Sequence, residues 1–288
     1  TQFERLYHSD LTPFMEIESI GEDHIWLNSR SNLLYTHDGG TNWFTTTVPG
    51  FSKNIVSSLY GMNFRNANDG YCLGLTSGYL LQNKPEPSIL YKTDDGGTTW
   101  NAQTGLPETV LAYSFCSDRN GFVAVKEDTW SILTKGEGGG SWEVIRANSN
   151  PFTHILDVAC IDPNTCLIMY TNMFQPGYIN PYVNCEITRD RGNTWEKIRK
   201  FGSDTSIPQR ISISPSRDYL ILYNKGWNIE YPIMSPFFYR VNLADNKTTF
   251  HSTYPKIIMD IQWIDDNRLW IYASEKTTDT GPTPWSDI

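Results

Sequence analysis

The string YTHDGGTNW, which runs from Tyr35 to Trp43, decides the fold class because close variants of it return three times along the chain. The variants are KTDDGGTTW at 92–100, KGEGGGSW at 135–142 and TRDRGNTW at 188–195. All four follow or approach the pattern Thr-x-Asp-x-Gly-x-x-Trp. The matching positions are Thr36, Asp38, Gly40 and Trp43, then Thr93, Asp95, Gly97 and Trp100, then Glu137, Gly139 and Trp142, and finally Thr188, Asp190, Gly192 and Trp195.

The spacing of the four strings indicates a repeat architecture. Successive Trp residues of the pattern are separated by roughly 40 to 60 residues, which is about the length of one four-stranded propeller blade. Short apolar runs typical of strands precede each string, such as HIWLNS and LLYTH before the first. Each repeat is therefore predicted to form one antiparallel blade.

The residue types in the string are those of a hydrogen-bonded turn. An Asp carboxylate accepts hydrogen bonds from backbone N–H groups that follow it, and a Thr hydroxyl can satisfy another backbone group. The Gly reaches a backbone angle that side chains forbid. The Trp begins the next strand and covers the hairpin with a large apolar face. We expect one such turn to lock one hairpin in each repeat.

The pattern resembles the Asp-box, or BNR repeat, of β-propellers. Asp-boxes recur in sialidases, sortilin-type receptors, xyloglucan-cleaving glycosidases and photosystem II assembly factors. The resemblance implies that each box lies at the turn between the third and fourth strands of a blade, away from any active site. It therefore implies a structural role for Asp38, Asp95 and Asp190.

The repeats predict an all-β chain: one six-bladed β-propeller of four-stranded antiparallel blades, forming a single domain over residues 1–288. A fifth repeat lacks a good string, and a sixth ends in TTDTGPTPW with one residue too many before Trp285. Because the sixth repeat reaches the end of the chain, we expect the N-terminal run QFERLYH to complete it and remove an exposed sheet edge. Seven blades would need shorter repeats than those counted.

Three long segments between predicted second and third strands suggest a binding face opposite the boxes. They are TSGYLLQNKPEPS, NMFQPGYINPY and KGWNIEYPIMSP. Long loops on a rigid scaffold commonly carry binding residues, and aromatic rings beside polar groups suit sugars or a protein partner. The alternative is that these rings pack on one another. The predicted ligand-binding residues are Tyr79, Phe174, Tyr178, Tyr182, Trp227 and Tyr231, with Arg210 and Asp204 from loops between blades.

Two functions from different classes fit these features. The first is a binding or scaffold module that holds a glycan or protein on the long-loop face. The alternative is a sialidase-like glycoside hydrolase that uses carboxylates in an axial pocket, with Glu108 and Asp204 as a pair whose separation the sequence does not give. The resemblance to sialidases is incomplete because the chain has no Arg-Ile-Pro string, and a set of three Arg cannot be assembled. A photosystem assembly role fits less well, because that family is expected to show a basic patch.

Composition limits the partners and the compartment. The chain has 288 residues and a formal net charge of −9, which disfavours nucleic acid and anionic membranes. It has no apolar run of about 18 residues, so no membrane insertion is expected. Its first residue, Thr1, is compatible with removal of a signal peptide, and we expect a secreted protein, extracellular or periplasmic. No cofactor or metal is expected.

The five Cys residues leave two readings open. Cys160 and Cys166 bracket the turn-like IDPNT, which suggests a short loop-closing disulfide and an oxidising compartment. The other reading is buried free thiols on strands. A zinc site is not expected, because the spacing is wrong and no His pair lies nearby in the sequence.

Overall fold

All regular structure in the described part of the protein is β-sheet. The computed structural model describes residues 16–29, 32–49, 58–75, 88–107, 109–117, 120–135, 141–172, 182–201, 208–223, 237–252 and 256–275. These residues form 22 strands, most of them four to seven residues long.

Five four-stranded sheets follow one another along the chain, and in each the strands pair in sequence order. The first sheet contains β1 (Glu16–Ile20), β2 (His24–Ser29), β3 (Asn32–Thr36) and β4 (Phe44–Thr46). The second contains β5 (Ser58–Phe64), β6 (Gly70–Leu75), β7 (Ser88–Thr93) and β8 (Asn101–Ala102). The third contains β9 (Val110–Phe115), β10 (Gly121–Lys126), β11 (Trp130–Lys135) and β12 (Trp142–Ala147).

The remaining strands complete two more four-stranded sheets and one hairpin. The fourth sheet contains β13 (His154–Cys160), β14 (Cys166–Thr171), β15 (Val183–Thr188) and β16 (Glu196–Phe201). The fifth contains β17 (Arg210–Ile213), β18 (Tyr219–Tyr223), β19 (Phe237–Asn242) and β20 (Thr248–Ser252). The last two strands are β21 (Lys256–Asp265) and β22 (Arg268–Glu275), which pair only with each other.

The protein is an all-β propeller of four-stranded antiparallel blades, and it has five of them among the described residues. The prediction of six blades is therefore wrong, and seven is further from the structure. Among the described residues, the sixth repeat contributes only the two-stranded sheet. Its terminal string is TTDTGPTPW. That string and the proposed closing run QFERLYH lie outside the described residues.

The contacts divide the chain into two compact units. One comprises residues 1–168 with 187–196, and the other comprises 169–186 with 197–288. The single domain over 1–288 stays a prediction. In the first unit, Trp26 is fully buried and stacks on Phe64 with 3.6 Å between ring centroids. In the second, Ile221 and Ile258 belong to one buried apolar cluster.

A carboxylate joins the first strands of the first two blades, and this contact was not predicted from the sequence. The carboxylate of Glu16, on β1, accepts hydrogen bonds from the N–H groups of Gly61 at 2.9 Å and Met62 at 3.2 Å, on β5. A register irregularity interrupts β5 at this point, and Gly61 has a φ of 62°. The bulge turns two successive N–H groups towards one anion, which is a recurrent backbone geometry for binding negative charge.

The disulfide differs from the predicted one. Cys116 pairs with Cys160, with 5.5 Å between their Cα atoms, and Cys166 is a buried free thiol. The prediction of a Cys160–Cys166 bridge is therefore wrong. Cys116 follows β9, which packs against β13, so the partner of Cys160 comes from the preceding blade. Burial raises the pKa of the Cys166 thiol well above its usual value.

Candidate functional site

Three of the four repeated strings form the same hydrogen-bonded turn between the third and fourth strands of their blades. In the second blade, Thr93 Oγ1 donates to Asp95 Oδ1 at 2.8 Å and accepts from Gly97 N at 2.8 Å. Asp95 Oδ1 also accepts from Thr99 N at 2.8 Å. The same three bonds recur around Thr36 with Asp38 and around Thr188 with Asp190. In the third string, Glu137 and Gly139 lie outside the described residues, and Trp142 begins β12.

Each turn is also bonded to the other turn at the same end of its blade. The residue after the Asp donates its N–H to a carbonyl between the first and second strands. These bonds join Gly39 N to Asp23 O at 3.0 Å, Gly96 N to Asn68 O at 2.9 Å, and Arg191 N to Asn164 O at 2.8 Å. All three donors have positive φ, from 59° to 71°. The turns therefore fix one end of each blade with backbone hydrogen bonds.

The Trp residues of the second and fourth strings cover their turns. Trp100 is almost fully buried and donates from Nε1 to Gly97 O at 3.1 Å. Trp195 makes the equivalent bond to Gly192 O at 3.2 Å, and the Arg146 guanidinium lies 4.7 Å from the Trp195 ring centroid. The indole N–H thus satisfies a turn carbonyl while the ring shields the turn from water.

The Asp carboxylates of the turns are held in their ionised form. Hydrogen bonds from the backbone and side chain of Asn42 lower the pKa of Asp38 to about 2. Hydrogen bonds from Thr194 lower the pKa of Asp190. Carboxyl groups that stay ionised at neutral pH and already accept several hydrogen bonds are poor general acids. The turn geometry therefore favours a structural role for these residues.

We predict that Asp38 makes stability depend on acid pH. Its pKa is lower in the folded protein, about 2 against an unperturbed 3.8. Its contribution to the free energy of unfolding is therefore complete above about pH 4 and is lost as pH falls towards 2. Asp38→Asn should flatten the fall of the urea midpoint across that window. The exposed Asp128, in the β10–β11 turn, supplies the control: Asp128→Asn should leave the slope unchanged, and an equal slope in both variants would contradict the prediction.

The long predicted loops leave their blades at the end opposite the turns. Residues 76–87 connect β6 to β7, 173–181 connect β14 to β15, and 224–236 connect β18 to β19. In an antiparallel sheet, the connection before the third strand and the connection after it lie at opposite ends of that strand. Six predicted residues lie outside the described part of the chain: Tyr79, Phe174, Tyr178, Trp227, Tyr231 and Asp204. Glu108 lies outside it as well.

Tyr182 is described, and it lies at the base of the fourth-blade loop. It directly precedes β15, and its N–H donates to Asn172 Oδ1 at 2.8 Å. Thr171 Oγ1 donates to the Tyr182 carbonyl at 2.8 Å. The Lys200 ammonium lies 4.0 Å from the centroid of the half-buried Tyr182 ring, within cation–π range. The base of this loop is thus fixed by side chains from β14, from the residue that follows β14 and from β16.

Four further polar residues, which were not predicted from the sequence, lie on or directly after β14 and on β15: Tyr170, Asn172, Asn184 and Glu186. Tyr170 donates its hydroxyl to Glu186 Oε1 at 2.6 Å, and Glu186 is 8% exposed. Asn172 Nδ2 and Asn184 Oδ1 are buried and have no hydrogen-bond partner in the described part of the chain. A buried amide atom without a partner is costly, so each can gain from a bond to a ligand or to water. The available signal was the alternation of polar residues in MYTN and YVNCEIT.

Arg210 also lies at the loop end of its blade. It begins β17 and is the register partner of Tyr223, the last residue of β18 before 224–236. Arg210 and Tyr182 belong to different sheets. The structure therefore places both described members of the predicted binding set at loop ends, each in its own blade.

Two other features bear on chemistry. A cleft of about 270 Å³ beside β7 is lined by Ile89, Leu90, Leu106, Pro107 and Val110, so its walls offer mainly aliphatic contacts. Among the described residues, no group of three or more His, Cys, Asp or Glu side chains is placed to hold a metal ion. Neither feature supplies the paired carboxylates that glycoside hydrolysis requires.

Comparison with solved structures supports the fold. A TolB-like protein from Agrobacterium tumefaciens is 12% identical, with a TM-score of 0.57 over 95% of this chain and 93% of that chain. The extracellular domain of a hybrid two-component system from B. thetaiotaomicron is 13% identical, with a TM-score of 0.57 over 96% and 34%. The GH74 xyloglucanase from Xanthomonas campestris is 13% identical, with a TM-score of 0.54 over 85% and 40%.

These likenesses identify a β-propeller and do not carry an activity to this chain. The chain spans less than half of the second and third of those proteins. No protein-family model matches the sequence, and the search of curated proteins gives no match. Among the described residues, no helix has the length and apolar character needed to cross a membrane.

Proposed function

We propose that this propeller is a secreted or periplasmic binding module that holds a glycan or a protein on its long-loop face. The observation that carries the proposal is the polar cluster at the loop end of the fourth blade. There, Asn172 Nδ2 and Asn184 Oδ1 are a donor and an acceptor without a hydrogen-bond partner among the described residues, and Asn172 Oδ1 accepts from the Tyr182 N–H. A sugar hydroxyl can satisfy either atom because it both donates and accepts.

The difference between the two ends of the blades supports this proposal. At one end, the polar groups of the Thr-x-Asp-x-Gly-x-x-Trp turns already make hydrogen bonds within the turns. The Asp-box assignment, which we retain as part of the proposal, gives these turns a structural role. At the other end, long loops rich in aromatic residues follow the strands, as is usual for binding surfaces on rigid scaffolds.

The glycoside hydrolase alternative rests on the fold alone, because Glu108 and Asp204 lie outside the described residues. The Tyr170–Glu186 pair joins a phenol to a buried carboxylate by a hydrogen bond from the phenol within one blade. A fold shared with a hydrolase does not transfer its chemistry. Binding without turnover is therefore the reading that we propose.

The proposal is tested by applying the purified protein to a glycan array together with Tyr182→Ala and Trp227→Ala. We expect the wild type to bind a defined set of glycans and both variants to lose at least about tenfold in affinity, since truncation of a central aromatic anchor commonly costs 2 kcal/mol or more. The matched control is Phe44→Ala, which removes an equally large and 53% exposed ring from the turn end of the first blade.

The outcome of the array separates the two kinds of partner. If no glycan binds, the same variants are compared in cross-linking of a partner from the native compartment. Loss of the cross-link in Tyr182→Ala and Trp227→Ala, with retention in Phe44→Ala, supports a protein ligand on the loop face. Binding that survives in both loop variants and disappears in Phe44→Ala would place the site at the opposite end and overturn the proposal.

A further inference from the structure

Two histidines face each other across the first blade. His24 directly precedes Ile25 and His37 directly follows Thr36, and Ile25 and Thr36 are register partners in β2 and β3. Their imidazole rings have centroids 5.0 Å apart. His37 is exposed and His24 is half-buried, so the pair is open to solvent on one side. Sequence reasoning missed the pair because twelve residues separate its members.

The separation of the two rings suits a shared metal ion. A transition metal binds an imidazole nitrogen at about 2 Å and therefore lies about 3 Å from the ring centroid. Two rings whose centroids are 5.0 Å apart can then meet at one ion with an open angle, as tetrahedral and square-planar sites require.

A backbone carbonyl determines which ring nitrogen of His37 would bind the metal ion. His37 Nε2 lies 3.1 Å from Gly96 O, and a carbonyl can only accept, so the ring donates from Nε2. Nδ1 of the neutral ring is then left with its lone pair. Metal-binding histidines commonly donate their second ring N–H to a carbonyl in this way, which fixes the ring and raises its basicity. Gly96 O also accepts from Trp26 Nε1 at 2.7 Å, so the carbonyl itself is held in place.

The surroundings favour a cation. Glu22 and Asp23 are exposed and precede His24 in the β1–β2 turn. Asp23 O also accepts from Gly39 N, which keeps this turn against the string that carries His37. His24 and His37 thus adjoin two turns that are already hydrogen-bonded to each other. Little conformational freedom of the backbone is therefore lost when a metal binds.

We propose that His24 and His37 form a two-histidine site for a divalent transition metal. Imidazole ligands suit Zn²⁺, Cu²⁺ and Ni²⁺, and the general order of stability places Cu²⁺ first. With two protein ligands, solvent completes the coordination, so the ion stays accessible to a further ligand. The site lies at the turn end of the first blade and is independent of the function proposed for the loop face.

The proposal is tested by titrating the full chain with CuCl₂, NiCl₂ and ZnCl₂ in a non-chelating buffer, using isothermal calorimetry. We expect one equivalent to bind, with Cu²⁺ tightest. His24→Gln and His37→Gln should each weaken metal binding by at least about tenfold. Each variant retains one imidazole ligand and loses the second, which in the wild type is held near the bound ion at high effective concentration. The Cu²⁺ electron paramagnetic resonance spectrum should show two imidazole nitrogens in the wild type and one in each variant.

The matched control is His251→Gln. His251 is also exposed and also contacts an aromatic ring, that of Phe238 at 4.7 Å. Its replacement should leave the affinity and the spectrum unchanged. Far-ultraviolet circular dichroism establishes that all three variants are folded. Absence of metal binding by the wild type, or binding that is equally tight in His24→Gln and His37→Gln, would overturn the proposal.

Discussion

Replacing Cys160 with Ser lowers the free energy of unfolding by about 3–4 kcal/mol under oxidising conditions, and Cys116→Ser has an equal effect. The bond between Cys116 and Cys160 closes a loop whose ends are 44 residues apart. Cross-linking a loop of this size restricts the unfolded chain strongly, and the cost of losing the bond grows with loop length. Urea unfolding followed by tryptophan fluorescence measures the difference.

Cys166→Ser is the control that distinguishes the observed bridge from a Cys160–Cys166 bridge. Cys166 is buried and free, so its replacement should cost much less than that of Cys160. In a reducing buffer, the wild type should fall to the stability of Cys160→Ser. Peptide mapping without reduction should recover 116 joined to 160. A large loss in Cys166→Ser, together with a mapped 160–166 link, would show that the pairing is wrong.

The disulfide shows which parts of the fold the sequence could not predict. The turn of Thr93 and Asp95 was predictable because all of its donors and acceptors lie within seven consecutive residues. The partner of Cys160 belongs to another blade, and so do the N–H groups that bind the Glu16 carboxylate. Contacts of this kind depend on how blades pack, which a repeat pattern does not encode.

The prediction of six blades was wrong for the sixth repeat. The sixth repeat contains the runs IIMDIQWI and RLWIYAS, which correctly predicted β21 and β22, because short apolar runs are typical of strands. Completion of a blade also needs a third and a fourth strand. The residues after Glu275 and the N-terminal run QFERLYH, which were expected to supply them, lie outside the described residues, so the described chain contains five four-stranded blades and one hairpin.

The place of the candidate site stays a prediction, and its predicted residues were incomplete. Tyr182 was predicted to bind because it is the last residue of the long segment NMFQPGYINPY. Asn172 and Asn184 were not predicted: Asn172 is the first residue of that segment, and Asn184 lies within β15. Only the structure shows that Asn172 Nδ2 and Asn184 Oδ1 are buried without a hydrogen-bond partner in the described part of the chain. The sequence therefore indicates where a ligand could bind more readily than it indicates which groups would hold it.

Gly96→Ala is expected to destabilise the protein by about 3 kcal/mol, because it combines backbone strain with a collision. Gly96 has a φ of 71°, and a side chain in this left-handed region costs about 1–2 kcal/mol. A Cβ at Gly96 would also lie 2.8 Å from the carbonyl oxygen of Ala67 and 2.8 Å from the His37 ring. The His37 ring can move, but the backbone carbonyl moves only with the turn, and such overpacking costs a further 1–3 kcal/mol, very roughly.

Gly39→Ala separates the two causes, since Gly39 occupies the equivalent turn position with a φ of 68°. The nearest atom to a Cβ there is Glu22 O at 3.6 Å, an ordinary contact, so only the strain of about 1–2 kcal/mol is expected. Arg191 holds the same position in the fourth blade at a φ of 59°, which shows that the turn accepts a side chain where space allows. The urea midpoints of both variants distinguish the two causes. Equal losses of stability would mean that backbone strain alone destabilises both variants, and that the close packing of Gly96 against Ala67 and His37 contributes nothing.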